Sequence, residues 1–219
     1  MADRLLQDRQ NKMEKMRQLG TDPYGQRFTD TISLTLARER FDPEKGDQQQ
    51  HVKIAGRVIF QRVMGKLIFL RLRDSCGELQ VGLSKSILAQ QWELAKLIDL
   101  GDIIGAAGKL GITRTGEITV WADDMTVLTK ALLPPPEKWH GLTDVELRYR
   151  QRYIDLFANR DVIAKFLQRT DLIRSIRQFL HQRDFVEVET PMMQPIVGGA
   201  AARPFITHHN TLDIDLYMR

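Results

Sequence analysis

Hydrophobic and polar positions along the chain change period several times, and each change marks an element. Residues 1–19 carry Leu5, Leu6, Arg9, Met13, Met16 and Leu19 near one stripe with charges elsewhere, which predicts an amphipathic helix. Gly20 is placed to cap it, and Asp22-Pro23-Tyr24-Gly25 predicts a turn. From His51 the period shortens to two. Val52 to Met64 predicts a long strand with a bulge or bend at Gly56. Strands over 66–74 and 78–83 follow, with turns at Met64-Gly65-Lys66 and Ser75-Cys76-Gly77. Residues 84–99 predict a helix through Ile87, Leu88, Trp92, Leu94, Ala95 and Ile98, ended by Gly101. A hairpin of strands over 102–110 and 117–129 completes this stretch.

Three strands, a helix and two strands within about 80 residues are in the order of an OB-fold, a five-stranded Greek-key barrel that commonly binds nucleic acid. Leu133-Pro134-Pro135-Pro136 then predicts a stiff extended linker, because neither helix nor strand continues through consecutive prolines. Residues 144–157 predict a short helix rich in Arg and Tyr, and 161–182 a longer one with Asn159 as its N-cap. Val186–Thr190 predicts a strand stopped by Pro191, followed by a glycine- and alanine-rich loop through Arg203. Leu212, Ile214, Leu216 and Met218 alternate with Asp213, Asp215, Tyr217 and Arg219, so a strand with one apolar face is expected there. The expected organisation is α+β and mostly β: an N-terminal helix and extension over 1–50, the barrel over 51–133, a linker over 134–143, and an incomplete second domain over 144–219. That second part offers too few elements to bury both faces of a sheet, so further chain or a partner is expected to cover it.

Composition narrows the function classes. The 219 residues carry a net charge of +4, too small an excess to establish a nucleic-acid partner but enough to exclude a strongly acidic protein. Most of the excess lies in residues 51–133, which hold eleven basic and eight acidic side chains. A single cysteine, Cys76, excludes an internal disulfide and points to a reducing compartment. No apolar run approaches the roughly 18 residues of a membrane span, and the N-terminus lacks an apolar signal core, so a cytoplasmic location is expected.

Candidate chemistry concentrates in the barrel. Ile68, Leu70 and Leu72 share the face that should be core, which leaves Phe69 on the opposite face with Leu67, Arg71 and Arg73. An aromatic ring on a basic face either stacks a nucleobase or covers a small core under a loop; the pattern alone does not choose. Gln80 points outward beside it, between inward Leu79 and Val81, and its amide could both donate to and accept from a base edge. The face of Arg62 depends on what happens at Gly56. Elsewhere the bland readings prevail. His208 and His209 are neighbours on one strand and diverge, so they cannot chelate one metal, and no zinc spacing exists. Gly198-Gly199 lacks the strand-to-helix context of a phosphate loop. Arg148, Arg150 and Arg152, interleaved with Tyr149 and Tyr153, read as cover for a domain junction before they read as a binding patch.

Several runs resemble the class II lysyl-tRNA synthetases of the bacterial type. They include Leu100-Gly101-Asp102-Ile103-Ile104-Gly105, Leu128-Thr129-Lys130-Ala131-Leu132, and Arg148-Tyr149-Arg150-Gln151-Arg152-Tyr153-Ile154-Asp155-Leu156. Glu187-Val188-Glu189-Thr190-Pro191-Met192-Met193 resembles motif 1 of class II synthetases, and the run from Gly198 to Asn210 is the most lysine-specific. The resemblance implies a barrel that reads the anticodon of tRNA-Lys through Arg62, Phe69, Gln80 and Glu117. It implies a loop at Gly198, Gly199 and Ala200 that closes over the substrate lysine, and a homodimer interface at motif 1 through Phe185, Val188 and Pro191. The family reaction joins lysine and ATP, with Mg²⁺, to a lysyl-adenylate and passes lysine to the tRNA 3′ end.

Two departures qualify that expectation. Motif 1 usually has Gly before its aromatic, where this chain has Asp184 before Phe185. A positive φ there would cost Asp something, though less than most residues. Motifs 2 and 3, which hold ATP and Mg²⁺ in the family, do not occur in these 219 residues, so no catalytic or metal-binding residue is expected in this chain and the chain alone is expected to be inactive. The competing class is a stand-alone OB-fold RNA-binding module without ligase activity; a purely structural interaction protein has only the uncovered apolar strand face in its favour.

Overall fold

A computed structural model describes residues 2–25, 27–134, 142–198 and 203–218. The chain divides into two compact units, 1–154 and 155–219.

The first unit opens with helix α1 (Ala2–Gln18). Its C-terminus is closed by Gly20 at φ 78°, whose N–H donates to the Arg17 carbonyl while Thr21 N–H reaches back to Met16. This pair of bonds is the Schellman arrangement, and it requires a left-handed residue. Helix α2 (Leu34–Glu39), capped by Ser33, and a 3₁₀ turn (Pro43–Gln48) lead into the barrel. The barrel strands are β1 (His51–Met64), β2 (Leu67–Arg73), β3 (Glu78–Ser84), β4 (Ile103–Ile112) and β5 (Ile118–Thr129). They close in the order β1-β2-β3-β5-β4, with β3 and β5 parallel and the other pairs antiparallel. The expected OB-fold barrel is the observed one.

The period-2 pattern sets its interior. Ile68, Leu70 and Leu72 of β2 and Leu79, Val81 and Leu83 of β3 are buried with Ile54, Val58, Ile104, Leu110, Val120 and Val127. Strand β1 serves two neighbours, pairing β4 over His51–Arg57 and β2 over Arg57–Met64. Gly56 lies at the changeover, where a Cβ would stand 2.9 Å from the Arg73 carbonyl oxygen. Close backbone approach, rather than a bulge, explains glycine there; the register shift itself falls between Val58 and Phe60.

The expected helix over 84–99 is mostly a series of turns, and only α3 (Trp92–Ala95) is helical. Side chains compete with the helix here. Ser84 and Ser86 bond through their hydroxyls, and the Gln91 amide donates to Asp124 and accepts from Met125 N–H. Leu88, Trp92, Ala95 and Ile98 still reach the core.

A buried polar cluster ties α1 to the barrel. Arg9 donates to the carbonyls of Leu100, Ala131 and Leu133. Lys130 Nζ donates to the Leu97 carbonyl at 3.0 Å, Asp99 Oδ2 at 2.6 Å and Asp102 Oδ2 at 2.8 Å. Lys12 also pairs with Asp99. Burial pushes the Asp102 carboxyl above the ordinary aspartate range, against the pull of Lys130 and two backbone N–H donors. At Asp99 burial acts the same way, but the hydrogen bonds and charges of Lys12 and Lys130 prevail and hold it below that range.

The expected helix over 144–157 is two, α4 (Val145–Arg150) and α5 (Arg152–Ala158), interrupted where Gln151 leaves helical geometry at φ −114° and ψ 56°. In the second unit, α6 (Arg160–His181) follows Asn159. It ends in a second Schellman arrangement: Asp184 N–H donates to His181 and Phe185 N–H to Leu180, with Asp184 at φ 63°. The position where the resembling family has glycine is therefore left-handed, and aspartate occupies it here.

Residues 186–190 form no strand and have no ladder partner among the described residues, contrary to the expected strand. A strand is defined by its neighbour, and the small sheet assembles elsewhere. It comprises β6 (Met193–Gln194), β7 (Ile206–His209) and β8 (Ile214–Met218), with β8 central and both pairings antiparallel. Asp213 at φ 50° turns β7 into β8, and Leu212 lies in that turn rather than on the strand.

Candidate nucleic-acid interface

Closing the barrel aligns outward residues of different strands into transverse rows. Arg62 of β1 stands opposite Phe69 of β2, Phe69 opposite Gly82 of β3, Gly82 opposite Trp121 of β5, and Trp121 opposite Lys109 of β4. One step along, Phe60, Arg71, Gln80 and Thr119 form the next row. The bulge after Val58 puts Phe60 and Arg62 on the outward face, settling the orientation that the sequence left open.

Phe69 is half-buried, and its ring meets the Trp121 indole edge-on, with centroids 5.8 Å apart and planes at 71°. Arg62 is exposed and makes no ion pair among the described residues. The Gln80 amide nitrogen donates to the Thr119 hydroxyl at 2.8 Å, and that hydroxyl donates to the Glu117 carbonyl. Gln80 is thereby oriented by the strand beside it. Glu117 lies just before β5, its carboxylate 3.7 Å from Arg71 Nη2 in a half-exposed pair. Such a pair adds little to stability and leaves both groups open to a ligand. The four residues expected at the anticodon site therefore share one outward face of the barrel.

Trp121 was missed by the sequence reading. The signal was available in parity: it lies between the buried Val120 and Ala122, so it points outward with Thr119. Two glycines beneath the indole complete the picture. A Cβ at Gly82 would come within 2.7 Å of Trp121 Cε3 and Cζ3, and one at Gly111 within 2.8–2.9 Å of Cδ1 and Nε1. The indole therefore lies flat across three strands, its six-membered ring over Gly82 and its five-membered ring over Gly111.

The other candidate residues lie in the second unit. Gly198 is described, with the Gln194 amide 2.8 Å from where its Cβ would be, whereas Gly199 and Ala200 lie outside the described residues, as do most residues of the linker expected over 134–143. Phe185 and Val188 are 61% and 72% exposed, and Pro191 is exposed beside them. His208 pairs with Asp215, and His209 Nδ1 accepts from Leu212 N–H, so the two rings have separate partners. Among the described residues no group of three His, Cys, Asp or Glu side chains is placed to hold a metal ion.

Residues 52–128, which form the closed five-stranded barrel with its basic, aromatic outer face, match the family of OB-fold nucleic acid binding domains. Residues 144–219 match the class II tRNA synthetases (D, K and N). The chain as a whole is similar to lysine–tRNA ligases. It is 48% identical to that of Carboxydothermus hydrogenoformans and 50% identical to that of Moorella thermoacetica, each over 98% of this chain and 44% of the relative. For the lysine–tRNA ligase of Nostoc sp. (strain PCC 7120) the identity is 45%, over 96% of this chain and 40% of the relative. The chain thus spans less than half the length of the curated relatives it matches. No helix among the described residues is long and apolar enough to cross a membrane.

Proposed function

We propose that this chain is the anticodon-reading part, with the opening of the catalytic domain, of a cytoplasmic lysine–tRNA ligase. The observation that carries the proposal is Phe69, an outward aromatic beside the exposed Arg62 and on the face of Gln80 and Glu117. Phe69 stacks one anticodon base, and Arg62 meets a backbone phosphate. Gln80, held through Thr119, presents its amide to a base edge, and the Glu117 carboxylate accepts from a base N–H. The likeness to lysine–tRNA ligases makes tRNA-Lys the partner.

In this reading the complete enzyme joins lysine to ATP with Mg²⁺, which neutralises phosphate charge. Gly198, Gly199 and Ala200 belong to the loop over the bound lysine. Phe185, Val188 and Pro191 belong to a homodimer interface, which accounts for apolar side chains so exposed on the second unit. Phe69→Ala should weaken binding to a U-rich anticodon stem-loop by roughly 1–3 kcal/mol, the worth of one stacking platform. Far-UV circular dichroism should not change, since the side chain lies outside the core. Unchanged affinity in the folded variant would overturn the proposal.

A further inference from the structure

We propose that Trp121 is a second base-stacking platform, and that the cleft beside it receives the nucleotide adjoining the one on Phe69, with Lys109 at its phosphate. This inference rests on the reading of the Phe69 face as a single-stranded RNA site. Trp121 is the floor of a corner whose wall is Phe69: the indole lies on the sheet, and the phenyl ring stands at 71° to it. On the far side of the indole from Phe69, the 3₁₀ turn overhangs β4 and encloses a cleft of about 440 Å³. That volume lies within the roughly 300–1,000 Å³ of small-ligand sites. Trp121, Phe41 and Ile112 make its apolar walls, and Lys109 contributes a cation.

Three features make a nucleotide the fitting occupant. The buried Gly82 and the nearby Gly111 carry no side chain where any other residue would lift the indole off the sheet. A flat indole offers one whole face to a planar ligand. Lys109, opposite Trp121 in the row, is exposed and makes no ion pair among the described residues. The row from Arg62 through Phe69, Gly82 and Trp121 to Lys109 therefore places two rings, with a glycine between them, inside two flanking cations, which matches two stacked bases flanked by phosphates. Gly82 separates Phe69 from Trp121 in the row, so their Cα atoms are roughly 10 Å apart, but the ring centroids approach to 5.8 Å, within the reach of consecutive nucleotides.

The test uses the 219-residue chain and a hairpin RNA with a U-rich seven-nucleotide loop, carrying 2-aminopurine at one loop position at a time. Wild-type chain should quench two adjacent positions. Phe69→Ala should relieve one of them, and Trp121→Ala the other with a 5- to 150-fold loss of affinity, the range of one lost platform. Trp121→Phe should keep most of the affinity, and Lys109→Gln should flatten the dependence of log affinity on log salt by about 0.7, as for one single-strand phosphate contact. If wild-type chain does not bind the hairpin, the underlying reading of the Phe69 face fails. If it binds and Phe69→Ala weakens it, the inference is overturned by either of two results. One is Trp121→Ala leaving affinity and quenching unchanged. The other is Trp121→Ala relieving only the Phe69 position, which would make the indole a prop for that ring. An unchanged salt slope in Lys109→Gln would remove Lys109 from the site.

Discussion

Replacing Lys130 by methionine tests the buried cluster that joins α1 to the barrel. The Lys130 side chain and that of Asp102 are both fully buried, and all three ammonium protons are used. Methionine preserves the aliphatic stem and removes the charge, leaving the Leu97 carbonyl without its donor and Asp102 without its counter-ion. Removing one partner of a buried pair costs about 3–5 kcal/mol. Asp102 keeps the N–H groups of Asp99 and Ala131, both at 2.8 Å, and Asp99 keeps Lys12. The expected loss is therefore near the lower bound, about 3 kcal/mol, a large share of the roughly 5–15 kcal/mol by which domains are stable. Urea unfolding followed by tryptophan fluorescence would read it as a lower midpoint at unchanged slope.

Acidification supplies the sign. Asp102 already has a raised carboxyl pKa in the folded state, and losing Lys130 raises it further. Such a group contributes stability below its unfolded value, about 3.9, that is lost as pH rises through the folded one. Asp99 is held below its ordinary range partly by Lys130, and its contribution is present above the unfolded value and lost on acidification. Both effects make the variant's deficit largest at neutral pH and smaller near pH 3, below the unfolded value above which the Asp99 contribution is intact. A loss under about 1 kcal/mol at pH 7, or an equal deficit at both pH values, would refute the picture of a desolvated charge cluster.

Other outcomes follow from the second unit. Asp184→Gly should raise stability by about 1 kcal/mol in thermal unfolding, because glycine takes the left-handed φ of 63° without the Cβ penalty; a decrease would assign the Asp184 side chain a supporting role. The 219-residue chain should elute from gel filtration as a dimer or larger species, and Phe185→Asp with Val188→Asp should shift it towards monomer; a monomeric parent chain would count against an interface there. Lysine-dependent ATP–pyrophosphate exchange should be absent from the 219-residue chain, and reproducible exchange above a blank preparation would mean the active site has been misplaced.

Period and parity by themselves determined the barrel: inward Ile68, Leu70 and Leu72 left Phe69 outside, and Leu79 and Val81 did the same for Gln80. Such information is local, since a side chain's face follows from its neighbours one and two residues away. The left-handed residue before Phe185 was expected only conditionally, from the glycine that the resembling family has there, and the helix-end bonds of Asp184 and Phe185 supply it. Segments whose form depends on distant partners were not legible. Residues 84–91 contain helix formers, yet they turn because Gln91 answers to Asp124 and Met125 on another strand. Residues 186–190 have a strand's composition but no strand alongside among those described. The juxtaposition of Trp121 with Phe69 needed barrel closure, which carries Gly82 and Gly111 beneath one indole. Lys130 reads in the sequence as an ordinary charged residue; only the fold, bringing Asp99 and Asp102 to it from some 30 residues away, removes it from water and makes it an ion-pair centre.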